Sequence, residues 1–304
     1  MIEVQNLSKR YGNFLAVDQI SFTAKTGEIV GLLGPNGAGK TTTMRMLTGF
    51  MPPSEGIAKI AGFDVSQNSM EVRKRVGYLP ERVPIYPDMT VQAYIAFWAR
   101  LRGIRNPSKQ VAHVLETVNL SDRKDTLVRN LSKGMRQRLG LAQALVHDPE
   151  VVILDEPTIG IDPQQVIEVR DSVRQLGKKH TVLFSTHILS EAEQVCDRVI
   201  IINKGRILAQ GAPATLRKQL QNGDHLFAQI GGANNATATK LLGAIPGVES
   251  ITSQGNGYTI RVKDGKDVRG DVAQKVIEGG YRLLELRPVA MTLEDMFLDI
   301  VGKE

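Results

Sequence analysis

Nine residues, G-P-N-G-A-G-K-T-T at positions 34–42, constrain this chain more than any other stretch. A short apolar run, Ile29 to Leu33, precedes them, and Met44, Leu47 and Phe50 follow at helical spacing. That is the strand–loop–helix setting a G-x-x-x-x-G-K-[ST] match requires. Gly34, Gly37 and Gly39 let the backbone turn tightly and aim successive N–H groups inward, with Pro35, Asn36 and Ala38 completing the loop. The helix that starts here adds the positive end of its dipole. Lys40 has the reach for β- and γ-phosphates, the Thr41 hydroxyl is the expected Mg²⁺ ligand, and Thr42 closes the motif. The stretch predicts a nucleoside triphosphate site.

A second apolar run, V-V-I-L from Val151 to Leu154, ends in Asp155 and Glu156. Uninterrupted apolar runs suit parallel strands buried on both faces. The ligands of open α/β sheets sit at the carboxyl edge, where such a strand delivers its two acids. Asp155 is therefore expected in the Mg²⁺ shell and Glu156 as the group that orients or deprotonates an attacking water. His187, in S-T-H, follows a third strand and is expected to contact the γ-phosphate. His113, His147, His180 and His225 have no such setting.

L-S-K-G-M-R-Q-R-L at 131–139 begins a helix of another kind. Ser132 and Gly134 are expected to turn a hydroxyl and free N–H groups outward, a second anion-binding end. It has no phosphate loop of its own.

Around these motifs, strands are expected at Ile2–Leu7 and Ile20–Ala24, divided by a turn at Gly12–Asn13. A helical insert covers about 88–148, with Thr90 capping Val91–Arg102 and Ser108 capping a second helix to Val118. The α/β pattern then resumes through Leu220. Gln221–Asp224 reads as a linker, and beyond it strand, helix, strand, strand, helix, strand spell a split βαβ, or ferredoxin-like, order. A last helix is expected at Leu293–Val301.

The chain has 304 residues, a length that suits two domains, and a formal charge of +6. Its Lys and Arg are scattered, which fits solvated helix faces rather than a nucleic-acid interface. No apolar run approaches the roughly 20 residues that cross a bilayer. The N-terminal M-I-E-V-Q-N lacks a signal segment, so a cytosolic location is expected. The single cysteine, Cys196, reads as a small buried apolar residue.

Together, the loop at 34–42, L-S-K-G-M at 131–135, V-V-I-L-D-E-P at 151–157 and S-T-H at 185–187 resemble an ATP-binding cassette (ABC) ATPase over about residues 1–220. The resemblance implies an α/β P-loop NTPase fold with an antiparallel β subdomain and a helical insert. A C-terminal α+β domain at 224–304, expected to be regulatory or interaction-forming, follows the cassette. The family implies ATP and Mg²⁺ as cofactors, Tyr11 stacked on adenine, and Asp162 in the D-loop. It also implies that Ser132 and Gly134 touch the γ-phosphate held by a second copy, so that two cassettes close head-to-tail as a homodimer. Two departures stand out: Lys133 and Met135 replace the usual Gly and Gln, and Glu81 replaces the usual Gln as a nucleotide and metal contact. With R-P-V-A-M-T-L-E-D-M-F at 287–297, these variants resemble cassettes that serve a separate ABC-2-type membrane permease. Such a subunit lies on the cytoplasmic face of the membrane and meets it through the permease. The alternatives are a soluble ABC ATPase and a weakly hydrolysing regulatory module. The translation type usually has two cassettes in one chain and the repair type long coiled coils; this sequence has neither.

Overall fold

Alternating apolar residues build a hairpin from β1 (Ile2–Tyr11) and β2 (Phe14–Ala24), turned at Gly12–Asn13. The computed structural model describes residues 1–220, 225–255, 257–263 and 266–289, and the chain divides into two units between Pro213 and Ala214. In the N-terminal unit, β3 (Ile29–Leu33) leads through the glycine loop into α1 (Lys40–Leu47). Then come β4 (Glu55–Ile60), β5 (Phe63–Asp64), α2 (Ser69–Arg75) and β6 (Val76–Leu79). The helical insert holds α3 (Val91–Leu101), α4 (Ser108–Thr117) and α5 (Lys133–Leu145). The pattern closes with β7 (Val151–Asp155), α6 (Pro163–Gly177), β8 (Thr181–Thr186), α7 (Leu189–Val195), β9 (Arg198–Asn203) and β10 (Arg206–Gly211); α8 (Pro213–Leu220) starts at the boundary and belongs to the C-terminal unit from Ala214 on.

Two sheets result. The antiparallel one runs β2-β1-β4-β5 and the larger one β10-β9-β3-β8-β7-β6. The Ile29 run enters the larger sheet, with β8 and β9 parallel on its two sides. Every residue of β3 and β7 is buried, which explains their unbroken apolar sequences. Val4, Leu7 and Phe22 of the small sheet, Leu32 and Ile153 of the large one, and Met44 and Leu47 of α1 share one core. The phosphate-loop helix is thereby fixed by its apolar face.

Phe50 does not continue that face; it is 70% exposed. Gly49, at φ 66°, ends α1, and its N–H donates to Met46 O while the Phe50 N–H donates to Arg45 O. This paired geometry is the Schellman stop that glycine permits. Thr90 does cap α3, accepting from the Ala93 N–H at 3.2 Å. Ser108 makes no cap: Pro107, at φ −78° and already helical, takes the cap position and Ser108 becomes the first residue of α4.

The C-terminal unit contains β11 (His225–Gly231), α9 (Asn235–Gly243), β12 (Val248–Gln254), β13 (Gly257–Val262), α10 (Arg269–Glu278) and β14 (Arg282–Val289). Its sheet runs β12-β13-β11-β14 with every pairing antiparallel. This is the split βαβ, ferredoxin-like order. Leu226, Ala228, Ile260 and Val262 pack against Ala238 and Leu242 of α9 and Val272 and Val276 of α10. The expected linker Gln221–Asp224 and helix Leu293–Val301 lie outside the described residues.

Candidate functional site

Parallel register aligns the carboxyl ends of four strands: Leu33 beside Thr186, Asp155 beside Ser185, and Leu79 beside Leu154. The glycine loop, the acidic pair, S-T-H and the segment carrying Glu81 therefore open on one sheet edge. There a cleft of about 430 Å³ is lined by Tyr11, the loop from Pro35 to Thr42, Glu81 and Glu156. Phe14, 65% exposed at the mouth opposite Tyr11 in the hairpin, also lines it, although no sequence motif marks it.

Backbone geometry explains the glycines. A Cβ on Gly34 would lie 2.3 Å from Ile202 O in β9, and one on Gly39 would lie 2.6 Å from Ala16 O at φ 103°. The loop is held against the hairpin and the sheet where no side chain fits. Lys40 is buried, with its ammonium donating to Gly34 O (2.7 Å) and Pro35 O (3.2 Å). It also forms an ion pair with Glu156 Oε1 at 3.1 Å. The other oxygen, Oε2, lies 2.9 Å from His187 Nδ1. Lys40, Glu156 and His187, which sequence placed in three separate motifs, thus form one chain of contacts.

Glu156 has φ 48°, in the left-handed region that a non-glycine residue occupies only when its surroundings hold it there. One hold is its N–H, which donates to Ser185 Oγ at 2.9 Å. Ser185 in turn donates to Asp155 Oδ1 at 2.7 Å. A single hydroxyl in β8 thus fixes both acids of β7. Asp155 is fully buried, and its Oδ2 has no protein partner. Burial pushes its carboxyl above the ordinary range; the neighbouring charges of Glu156 and Glu81 push the same way, against hydrogen bonds from Ser185 and Thr41.

These features fit a divalent cation. A buried oxygen without a partner, a hydroxyl beside it and a second carboxylate at the rim would be relieved by positive charge. No three His, Cys, Asp or Glu side chains converge as a self-sufficient metal site among the described residues. Mg²⁺ needs no such cage, because it is usually held by one or two carboxylates together with substrate phosphates.

Ser132, Gly134 and Asp162 do not line this cleft. Ser132 is the N-cap of α5 and accepts from the Met135 N–H; Asp162 caps α6 and accepts from the Gln165 N–H. The expectation that Gly134 faces outward is corrected: Gly134 is buried beneath Gln165, whose Oε1 would lie 1.4 Å from any Cβ there. The Lys133 ammonium lies against Gly160, so the starts of α5 and α6 interlock through side chains. Arg138 and Glu168 extend that contact with an ion pair at 3.3 Å.

Of the remaining histidines, His147 lies 3.1 Å from Val76 O, and burial pushes its imidazole down to about 4. His180 packs against Pro149 O at 2.6 Å. Cys196 is buried, which raises its thiol, as suits an inert apolar residue.

A glycine-loop lysine, a strand-end acidic pair and a histidine on one parallel-sheet edge, beside a helical insert, define an ATP-binding cassette. The sequence pattern of the ABC transporter family matches residues 17–159, and that of the DrrA1-3-like ATP-binding protein C-terminal domain matches 211–301. The Nod factor export ATP-binding protein I of Burkholderia lata is 38% identical over 309 residues, spanning 100% of this chain and 97% of its own. The linearmycin resistance ATP-binding protein LnrL of Bacillus subtilis is 32% identical over 315 residues, spanning 100% and 99%. A solved ATP-binding subunit of an ABC transporter superposes with a TM-score of 0.66 at 30% identity, covering 72% of this chain and 92% of that one. A dimeric ATP-binding cassette bound to ADP and Pi shares the fold, with a TM-score of 0.64 at 22% identity over 70% and 98%. The chain belongs to the ABC transporter ATP-binding protein family. No helix among the described residues is long and apolar enough to cross a membrane.

Proposed function

We propose that this chain is the ATP-hydrolysing subunit of a transporter, in which two copies close head-to-tail around ATP and drive a separate ABC-2-type permease. The observation that carries it is the contact chain Lys40–Glu156–His187 at the cleft, with Ser132 and Gly134 outside that cleft. One copy then supplies the phosphate cradle and the other a lid; the relatives' export and resistance names support the transport part of the reading.

Glu156 is engaged by Lys40 through the 3.1 Å ion pair. The phosphate oxygens of ATP, entering the glycine loop, compete for that ammonium through charge-assisted hydrogen bonds. Glu156 Oε1 is then free to accept from a water in line with the γ-phosphate, while His187 steadies Oε2. Thr41, Asp155 and Glu81 would hold Mg²⁺, which supplies neutralising charge to the β- and γ-phosphates. Tyr11 offers its half-exposed ring to the adenine. The partner's Ser132 and Gly134 complete the site, with Asp162 at the interface, and the Gln165 side chain must give way over Gly134.

Hydrolysis opens the pair, the loop 81–88 joins the nucleotide site to the helical insert, and the insert conveys the change to the permease. In that loop Tyr86 is 46% exposed and packs edge-on against Phe97 of α3 at 5.5 Å. The functional division is a cassette at 1–220 and an interaction domain at 224–304. The assembly lies on the cytoplasmic face of the membrane, reached through the permease, with no nucleic-acid partner.

The test is Glu156→Gln, which keeps the shape and removes the charge. With Mg²⁺ and ATP the variant should elute as a dimer on a sizing column, and its steady phosphate release should fall about 10²–10⁴-fold. A variant that stays monomeric at saturating ATP would remove the shared-site mechanism.

A further inference from the structure

Behind the Glu156–His187 contact lies a third acid that the hydrolytic chemistry leaves unused. Asp155, Glu156 and Glu191 are the buried carboxylates among the described residues. Glu191 stands in the first turn of α7, between the buried Leu189 and Ala192. Burying a carboxylate is unfavourable unless hydrogen bonds replace its water. Here the replacements are specific: Glu191 Oε2 accepts from Thr158 Oγ1 at 2.7 Å and from Thr186 Oγ1 at 3.0 Å. Thr186 Oγ1 accepts in turn from the Ile188 N–H at 3.0 Å.

Thr158 comes two residues after Glu156, and Thr186 directly precedes His187. One oxygen atom therefore joins the segments leaving β7 and β8. Ser185 ties the same strand ends one step earlier, through Asp155 Oδ1 and the Glu156 N–H. Between these two ties sit the 2.9 Å contact of Glu156 with His187 and the left-handed backbone of Glu156. An apolar residue at 191 would fill the same space but leave two buried hydroxyls without an acceptor.

We propose that Glu191 is a positioning residue that fixes the spacing of Glu156 and His187 by gathering Thr158 and Thr186 onto one oxygen. Its importance for turnover rests on the hydrolytic reading of Glu156 and His187; its effect on their spacing does not. The role calls for an acceptor oxygen and not for the charge, because one oxygen takes both hydroxyls. Glu191→Gln should therefore preserve what Glu191→Ala removes.

The experiment measures ATP turnover and ATP affinity separately in the full chain, with ¹⁵N NMR of the His187 ring beside them. Glu191→Ala should lower kcat about 10²-fold, the loss expected when a catalytic group is misplaced by about 1 Å. ATP affinity should stay within about twofold, since Glu191 does not line the cleft. The Nδ1 resonance should lose its hydrogen-bonded position, and Glu191→Gln should return both kcat and resonance toward wild type. The Thr158→Val and Thr186→Val pair, close in shape, repeats the test should Glu191→Ala fail to fold. An unchanged Nδ1 signal in the alanine or valine variants would overturn the proposal whether or not the protein hydrolyses ATP. So would a kcat loss in Glu191→Gln as large as in Glu191→Ala. A displaced Nδ1 signal in the alanine or valine variants, beside a wild-type chain that shows no turnover, would uphold the positioning and overturn only the hydrolytic reading.

Discussion

The two units of this chain bury different things. In the N-terminal unit the core is interrupted at one sheet edge by Lys40, Asp155, Glu156, Thr158, Ser185, Thr186 and Glu191. None of the buried polar side chains among the described residues belongs to the C-terminal unit. There the buried set is aliphatic apart from Tyr258, whose hydroxyl donates to Asn235 Oδ1 at 2.8 Å. Its charged pairs, such as Arg287 with Glu285 and Arg269 with Asp267, stand at the surface. Desolvated charge gathers at the sheet edge beside the cleft, while the buried side chains of the C-terminal unit are apolar apart from Tyr258. On the proposed function, the contrast separates a region built for chemistry from one built for contact.

The sharpest way to break that contrast is Lys40→Ala. The substitution removes the proposed phosphate ligand and leaves Glu156 buried without its cation, so ATP affinity should fall about 10³-fold in a nucleotide titration. Retained affinity would mean that the buried charges are structural. Ile260→Ala approaches from the other side. Ile260 is fully buried in the C-terminal sheet, and its truncation should destabilise that unit by about 3 kcal/mol in a denaturant melt. ATP affinity should remain within about twofold; a tenfold loss would show that the two regions are energetically joined.

His147 gives the smallest effect. Its folded value near 4 lies below the unfolded 6.5, so the unfolded chain binds the extra proton between those values. Stability of the N-terminal unit is therefore full above about 6.5 and declines as the pH falls toward 4, by roughly 2 kcal/mol after allowance for partial exposure. His147→Gln should flatten that part of the pH–stability curve, measured by thermal melts.

The glycine loop, the acidic strand end and S-T-H were legible because each is a local pattern with a local cause. A buried strand must be apolar, and a phosphate loop must be glycine-rich. What joins them was less visible. Ser185 to Asp155 joins two strands, and Thr158 to Glu191 joins the segment after β7 to α7; the partners of each hydrogen bond lie about 30 residues apart in sequence. The available hint was one acid among the apolar positions Leu189, Ala192 and Val195 of α7. Phe50 misled because helical spacing carries on past a glycine that stops the helix. Gly134 misled because a helix start looks the same in sequence whether or not another helix lies over it.

The solitary oxygen of Asp155 implies that the hardiest form of this molecule and its working form differ. An apolar residue of similar size there would remove that uncompensated oxygen, at the cost of the acceptor for Ser185, and on the proposed function it would also take away a magnesium ligand. Selection for robustness alone would erase that acid. On the proposed function, its presence records how much endurance the fold gives up for a metal ligand.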